Sequence, residues 1–129
     1  MSLEDARNVL LHAWEELRKF SKDRDPLRLR NACEKGWLAI VLVTDELLST
    51  FNYKKPESCR EKREFLEDLE RKNSEIAKLG LRDRFGARGY HLHIQGYHEG
   101  MFSEEEVKLE LRKVEEYIRD VERIIQRVM

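Results

Sequence analysis

"GYHLHIQGYHEG", residues 89–100, holds three of the four histidines of a 129-residue chain, and the fold turns on how it is read. As a β-strand it alternates, with Tyr90, Leu92 and Ile94 on one side and His91, His93 and Gln95 on the other. That is a half-buried strand offering a His-x-His pair, a pattern metal sites often use. A lone strand, however, leaves half its backbone polar groups unpaired. Nothing outside residues 80–102 reads as a partner strand, so this one would need a second molecule. A helix there needs nothing extra. It also accounts for the glycines: Gly86, Gly89, His93, Gly96 and Gly100 are spaced three, four, three, four and fall on one stripe. Each glycine in a helix costs about 1 kcal/mol against alanine. Repeating that cost on one face makes sense where another backbone must come close. The segment is therefore read as an α-helix that breaks near Gly100. Its second stripe, Tyr90, Ile94, Tyr97 and Met101 flanked by Phe85 and Leu92, is apolar enough to face a core. The third, Arg84, Arg88, His91, Gln95 and His98, is a polar, cationic ridge.

Outward from this segment, four more helices account for nearly all the chain. From Ser2 to about Phe20, Leu3, Ala6, Leu10, Ala13, Trp14 and Leu17 recur at helical spacing, and Ser2 with Asp5 resembles a capping box. SKDRDP, residues 21–26, ends that helix, with Pro26 tolerated in the first turn of the next. The second helix carries Cys33, Trp37, Ile40, Thr44, Leu47 and Phe51 on one stripe and widens through Ala39, Val41, Val43 and Leu48. A helix apolar around most of its girth lies at the centre of a core. The Thr44 hydroxyl is expected to bond back to the Ile40 carbonyl. NYKKPE, residues 52–57, breaks it. A third, mostly charged helix from about Ser58 to Leu79 belongs at the bundle's edge. The last is the clearest. Ser103 and Glu106 form a capping box, and Val107, Leu111, Val114, Ile118, Val121, Ile125 and Val128 make a heptad seam that packs inside the chain or against a second copy.

Composition narrows the function classes. Charged residues are 40 % of the chain, against about 25 % in ordinary domains. The 25 basic and 26 acidic side chains nearly cancel, which implies solvated faces laced with ion pairs. A balanced excess is also favoured at high growth temperature, and so points to a thermophilic source. A net charge of −1 gives no global pull toward nucleic acid, so any such contact must be local. The first residues, MSLEDARNVL, have neither a basic start nor an apolar run, and the longest apolar run, WLAIVLV, is far short of a membrane span. A cytoplasmic location without membrane contact is expected. Cys33 and Cys59 form no CxxC motif and sit at apolar helical positions, which predicts buried free thiols.

Local chemistry concentrates between Leu81 and Gln95, where three arginines and two histidines meet one acid, Asp83. Arginine binds phosphate bidentately, and histidine acts as acid and base near neutral pH. Aromatic residues sit alongside, as on RNA-binding surfaces. The basic clusters Arg28 with Arg30, and Lys54, Lys55, Arg60, Lys62 with Arg63, read as loop and helix-end charge. On an α-helix His91 and His93 lie roughly 160° apart, and His91 and His98 are about 10 Å apart, so neither pair shares a metal ion within one chain. No metal and no cofactor is expected. His93, on the glycine stripe, is either a hydrogen-bonded packing residue or a catalyst. The basic ridge is either a phosphate site or a solvated face.

NACEKGWLAIVLVTDELL, residues 31–48, resembles the second helix of the archaeal PaREP family, and YHLHIQGYHEGMFSEEEV, residues 90–107, looks like that family's C-terminal half. These small helical proteins are grouped with the HEPN domains (higher eukaryotes and prokaryotes nucleotide-binding). The resemblance implies an all-α, single-domain, antiparallel bundle of about five helices that pairs into a homodimer. Many HEPN-like proteins are metal-independent ribonucleases of toxin–antitoxin or antiviral systems, and others bind nucleotides or a nucleotidyltransferase partner. The active forms carry Arg, four to six residues, then His. Here Arg88 and His93 have four between them, and Arg84 and His91 six. The residue after the arginine is usually polar, whereas this chain has Gly89 and Phe85. The candidate catalytic residues are thus Arg88, His91 and His93. Arg84, Arg88, Gln95 and His98 are the candidates for binding RNA or nucleotide phosphate. The partners to expect are a second copy, RNA or a nucleotide, and an antitoxin or nucleotidyltransferase. The alternative function is a non-catalytic helical dimerisation or protein-interaction module, resting on the Val107–Val128 seam and the glycine stripe.

Overall fold

The alternation of apolar and charged residues along the chain does produce helices. A computed structural model describes residues 3–128 and contains no β-strand among them. Helix α1 (Leu3–Asp23) buries Ala6, Leu10, Ala13 and Leu17. The capping box expected at Ser2 and Asp5 involves a position outside the described residues. The chain reverses through Arg24, held in the left-handed region at φ 56°, and Asp25. Asp25 then caps α2 (Pro26–Thr50) by accepting a hydrogen bond from the Leu27 amide at 3.0 Å. A two-residue link leaves α1 and α2 as antiparallel neighbours.

Helix α2 is buried around most of its girth from Ala32 to Leu48, as its composition requires, and packs on α1, on α6 and on the histidine-rich segment. Thr44 departs from expectation. Its hydroxyl shares a 2.7 Å hydrogen bond with the Tyr117 hydroxyl. Tyr117 is fully buried, so its phenol needs a partner, and a bond across the core serves both groups. Burial pushes the Tyr117 phenol well above its ordinary pKa.

The expected third helix is two. Helix α3 (Cys59–Lys72) and helix α4 (Ser74–Leu79) meet at Asn73, whose backbone is extended at φ −137° and ψ 104°. Its side-chain oxygen accepts from the Glu75 and Ile76 amides at 3.1 and 3.2 Å. Asparagine favours a cap over a helix interior, and here the cap wins. Ser58 caps α3, so Cys59 occupies its first, outward-facing position and is exposed, not buried as predicted. Lys62, read as surface charge, is buried and pairs with Asp45 at 3.0 Å.

Gly80, at φ 62°, turns the chain into α5 (Leu81–Arg88). Helix α5 runs without a break into a π-helical segment, Gly89–His98, which ends before Gly100 at φ 63°. The capping box at Ser103 and Glu106 forms reciprocally: the Ser103 amide donates to Glu106 at 3.1 Å, and the Glu106 amide to Ser103 Oγ at 3.2 Å. Helix α6 (Glu104–Val128) follows. Its seam from Val107 to Ile125 is buried within the chain, and only Val128 is exposed. The packing of α6 on α2 and α1 uses the stripe that was equally suited to a second copy. The result is an all-α bundle of six α-helices and one π segment among the described residues, with one apolar core.

Candidate functional site

The quoted segment is helical, but not α-helical, and its chemistry follows from that. A π turn closes its hydrogen bond on the fifth residue, as the Glu99 amide does on the Ile94 carbonyl at 2.9 Å. Residues five apart are brought together, whereas on an α-helix they would lie roughly 140° from each other. His93 and His98 are such a pair. Their Nε2 atoms stand 3.2 Å apart, and their rings meet edge to face at 76°.

Two glycines let the wide segment settle on α2. A Cβ on Gly89 would stand 3.1 Å from the Trp37 ring, and one on Gly96 only 2.5 Å from Cys33 Sγ. Gly36, on α2, lies under Leu92 and Leu111 in the same way. The expected close approach is therefore real, although Gly86 faces open space. Cys33 is sealed beneath this contact, and burial pushes its thiol up to about 12.

The docking carries His93 to Glu34 on α2. His93 Nδ1 lies 3.0 Å from both carboxylate oxygens. An ionised carboxylate only accepts hydrogen bonds, so Nδ1 donates and Nε2 is turned toward His98. Trp37 packs at 6.2 Å from the His93 ring and Tyr97 stacks on it at 6.1 Å and 11°. His93 is about a third exposed, while His98 lies open to solvent. Glu34, His93 and His98 thus form a continuous hydrogen-bonded chain from α2 to the surface. One α2 turn before Glu34, the exposed Arg30 guanidinium packs against Gly100, so closely that a Cβ there would collide with Nε and Nη2. No carboxylate among the described residues pairs with Arg30.

The remaining candidates lie elsewhere. Arg88 is buried at 7 % exposure and meets the equally buried Glu110 of α6, with Nε 2.9 Å from Oε1. Arg84 donates to Asp120 at 2.9 Å and lies over the Tyr117 ring. Neither arginine belongs to a solvated ridge, because α6 supplies a carboxylate opposite each. His91 is hydrogen-bonded to Gln95 at 2.7 Å and packs beside Tyr90 and Phe102. The five-residue ridge is therefore not a single surface: the switch to π spacing at Gly89 breaks its register. For the same reason the supposed core stripe turns outward, with Tyr90 54 %, Ile94 39 % and Met101 69 % exposed. Leu92 and Phe85 fill the core instead.

Of the predicted residues the structure pairs His91 with Gln95, and separately brings together His93 and His98 at the candidate site. To the latter pair it adds Glu34, 59 residues before His93, and Arg30, one helical turn earlier still. Their signal was the i, i+4 spacing of a cation and an acid on the helix that also carries the cradle for the glycines. Chemically, a carboxylate that orients one imidazole and a second imidazole open to solvent can hold and pass a proton. No group of three or more metal-ligating side chains is assembled among the described residues, and none of their helices is long and apolar enough to cross a membrane. Comparison with protein-family models, curated proteins and solved structures returned no match.

Proposed function

We propose that this chain binds RNA or a nucleotide phosphate on the face bearing Arg30, His93 and His98, and cleaves RNA there without a metal ion. The observation that carries this reading is the Glu34–His93–His98 hydrogen-bonded chain. In the proposed reaction an imidazole takes the proton of a 2′-hydroxyl, and that oxygen attacks phosphorus. The bond from phosphorus to the 5′-oxygen breaks, and the leaving oxygen receives a proton from the imidazolium. The products are a 2′,3′-cyclic phosphate and a 5′-hydroxyl. Glu34 steadies the inner imidazole as it gains charge. Arg30, free of an internal partner among the described residues, takes the phosphate charge. Arg84 and Arg88 are spent on Asp120 and Glu110 and act as framework. The resemblance to the HEPN-like PaREP proteins supports the substrate class and a cytoplasmic homodimer.

The test is RNA cleavage and binding in the presence of chelator, comparing wild type with Glu34→Gln, His98→Ala and Arg30→Ala. Removing a positioned acid–base group is expected to slow cleavage ~10²–10⁴-fold. Loss of Arg30 is expected to weaken binding and flatten its salt dependence. Equal activity in all four proteins would refute the assignment. A second reading, a non-catalytic interaction module that takes a further copy or another protein, draws on the exposed Tyr90, Ile94 and Met101. Binding that is insensitive to salt and to Arg30→Ala would favour it.

A further inference from the structure

We propose that His93 and His98 form a two-nitrogen chelate for a borderline divalent transition-metal cation such as Zn²⁺, with Glu34 orienting the inner imidazole from behind. The separation fits. Two imidazole nitrogens at roughly 2.0–2.1 Å from one tetrahedral ion stand about 3.3 Å apart, and the two Nε2 atoms are 3.2 Å apart here. An ion can thus replace the shared proton with little change in their spacing. The tautomer fits as well. Both oxygens of Glu34 lie 3.0 Å from Nδ1 of His93, which leaves the Nε2 lone pair for a metal. A carboxylate behind a ligating histidine both orients it and raises its basicity.

Access is open, since His98 is exposed, while Tyr97 and Trp37 hold the inner ring from the sides. No third protein donor joins the pair among the described residues. The remaining coordination positions fall to water or to a ligand, so the ion is exchangeable and not a folding staple. Imidazole donors favour Cu²⁺ and Zn²⁺ over Mn²⁺ and do not suit Mg²⁺ or Ca²⁺. The chelate stands independently of the proposed cleavage. If both are right, they compete for the same lone pairs, and the bound ion blocks proton transfer.

Calorimetric titration of Zn²⁺ into the full chain, without nucleic acid and with Mg²⁺ as control, tests this. Wild type is expected to take one Zn²⁺ per chain and no Mg²⁺. His98→Ala, at an exposed position, is expected to abolish binding, and so is His93→Gln. Glu34→Gln is expected to weaken it ~10–100-fold, and His12→Ala, on the exposed face of α1, to leave it unchanged. Absence of saturable binding in wild type, full affinity in His98→Ala, or loss of binding in His12→Ala would each overturn the site. Unchanged affinity in Glu34→Gln would overturn the role given to that carboxylate. Because no RNA is present, an inactive nuclease leaves the result intact, and an active nuclease that takes no Zn²⁺ sinks the chelate alone.

Discussion

Two chemically identical substitutions, Gly96→Ala and Gly86→Ala, are expected to move stability in opposite directions. Each exchanges a helical glycine for alanine, which by itself favours the folded state by about 1 kcal/mol. At Gly86 the added methyl meets nothing within 4 Å, so the full gain is realised. At Gly96 it would lie 2.5 Å from Cys33 Sγ, 2.9 Å from Cys33 Cβ and 3.2 Å from the His91 carbonyl oxygen. Cys33 Cβ is fixed to the α2 backbone, so that contact is relieved by lifting the π segment from α2, whereas the His91 carbonyl is part of the π segment and must shift within it. Overpacking of this kind costs typically 1–3 kcal/mol. With the Cβ of Cys33, which cannot rotate away, at 2.9 Å, the upper figure applies. Subtracting the alanine gain leaves a net loss of about 2 kcal/mol, or roughly 8 °C in Tm for a chain of this size. Thermal and urea denaturation followed by circular dichroism measure both variants. The expected separation between them is about 3 kcal/mol. Lifting the segment also draws His93 away from Glu34, so Gly96→Ala should lose whatever activity the wild type shows while Gly86→Ala keeps it. Stability of Gly96→Ala equal to or above wild type would refute the close packing of the π segment on α2. A Gly86→Ala variant destabilised by more than ~0.5 kcal/mol would refute the open environment assigned to that face.

Two further outcomes follow from buried groups. Arg88→Ala leaves the buried Glu110 with only the more exposed Lys113, 3.5 Å away, and is expected to cost up to ~3–5 kcal/mol, whereas the double change Arg88→Met with Glu110→Leu should recover most of that loss; denaturation midpoints decide it, and a mild single variant would mean that Lys113 suffices to compensate Glu110. The two thiols should differ sharply toward a disulfide reagent near pH 8, with Cys59 reacting in the native protein and Cys33 only after unfolding. The buried Cys33 thiol stays protonated up to about 12 when folded, against an ordinary value of 9.0. Its contribution to stability is therefore present below pH 9 and lost as pH rises toward 12, so Cys33→Ala should show a shallower alkaline decline.

Periodicity alone was enough to place the helices that have strong stripes and clear caps. The α6 seam, the capping box at Ser103 and the central position of α2 all follow from local pattern, because a 3.6-residue repeat and a hydroxyl three residues before a glutamate act over a few positions. The absence of strands among the described residues was legible too, since a single strand has no partner for its backbone. The glycine spacing announced a close approach, and Gly89 and Gly96 make it. The break at Asn73 was less visible, because the charged face continues across it and only the side-chain cap ends α3.

The site itself needed the tertiary structure. One change of helical pitch at Gly89 re-sorts every face beyond it, and nothing in the ten residues from Gly89 to His98 distinguishes i, i+5 from i, i+4 hydrogen bonding. That pitch, set against Trp37 and Cys33 of α2, turns His98 onto His93 and Tyr90 and Ile94 into solvent. Whether an arginine is free depends on what stands opposite it. Glu110 and Asp120 of α6 neutralise Arg88 and Arg84, while Arg30, which looked ordinary, is left without a carboxylate among the described residues. The residue types were written in the sequence. Their partners, nearly sixty residues away for Glu34 and His93, were decided by how the π segment packs on α2.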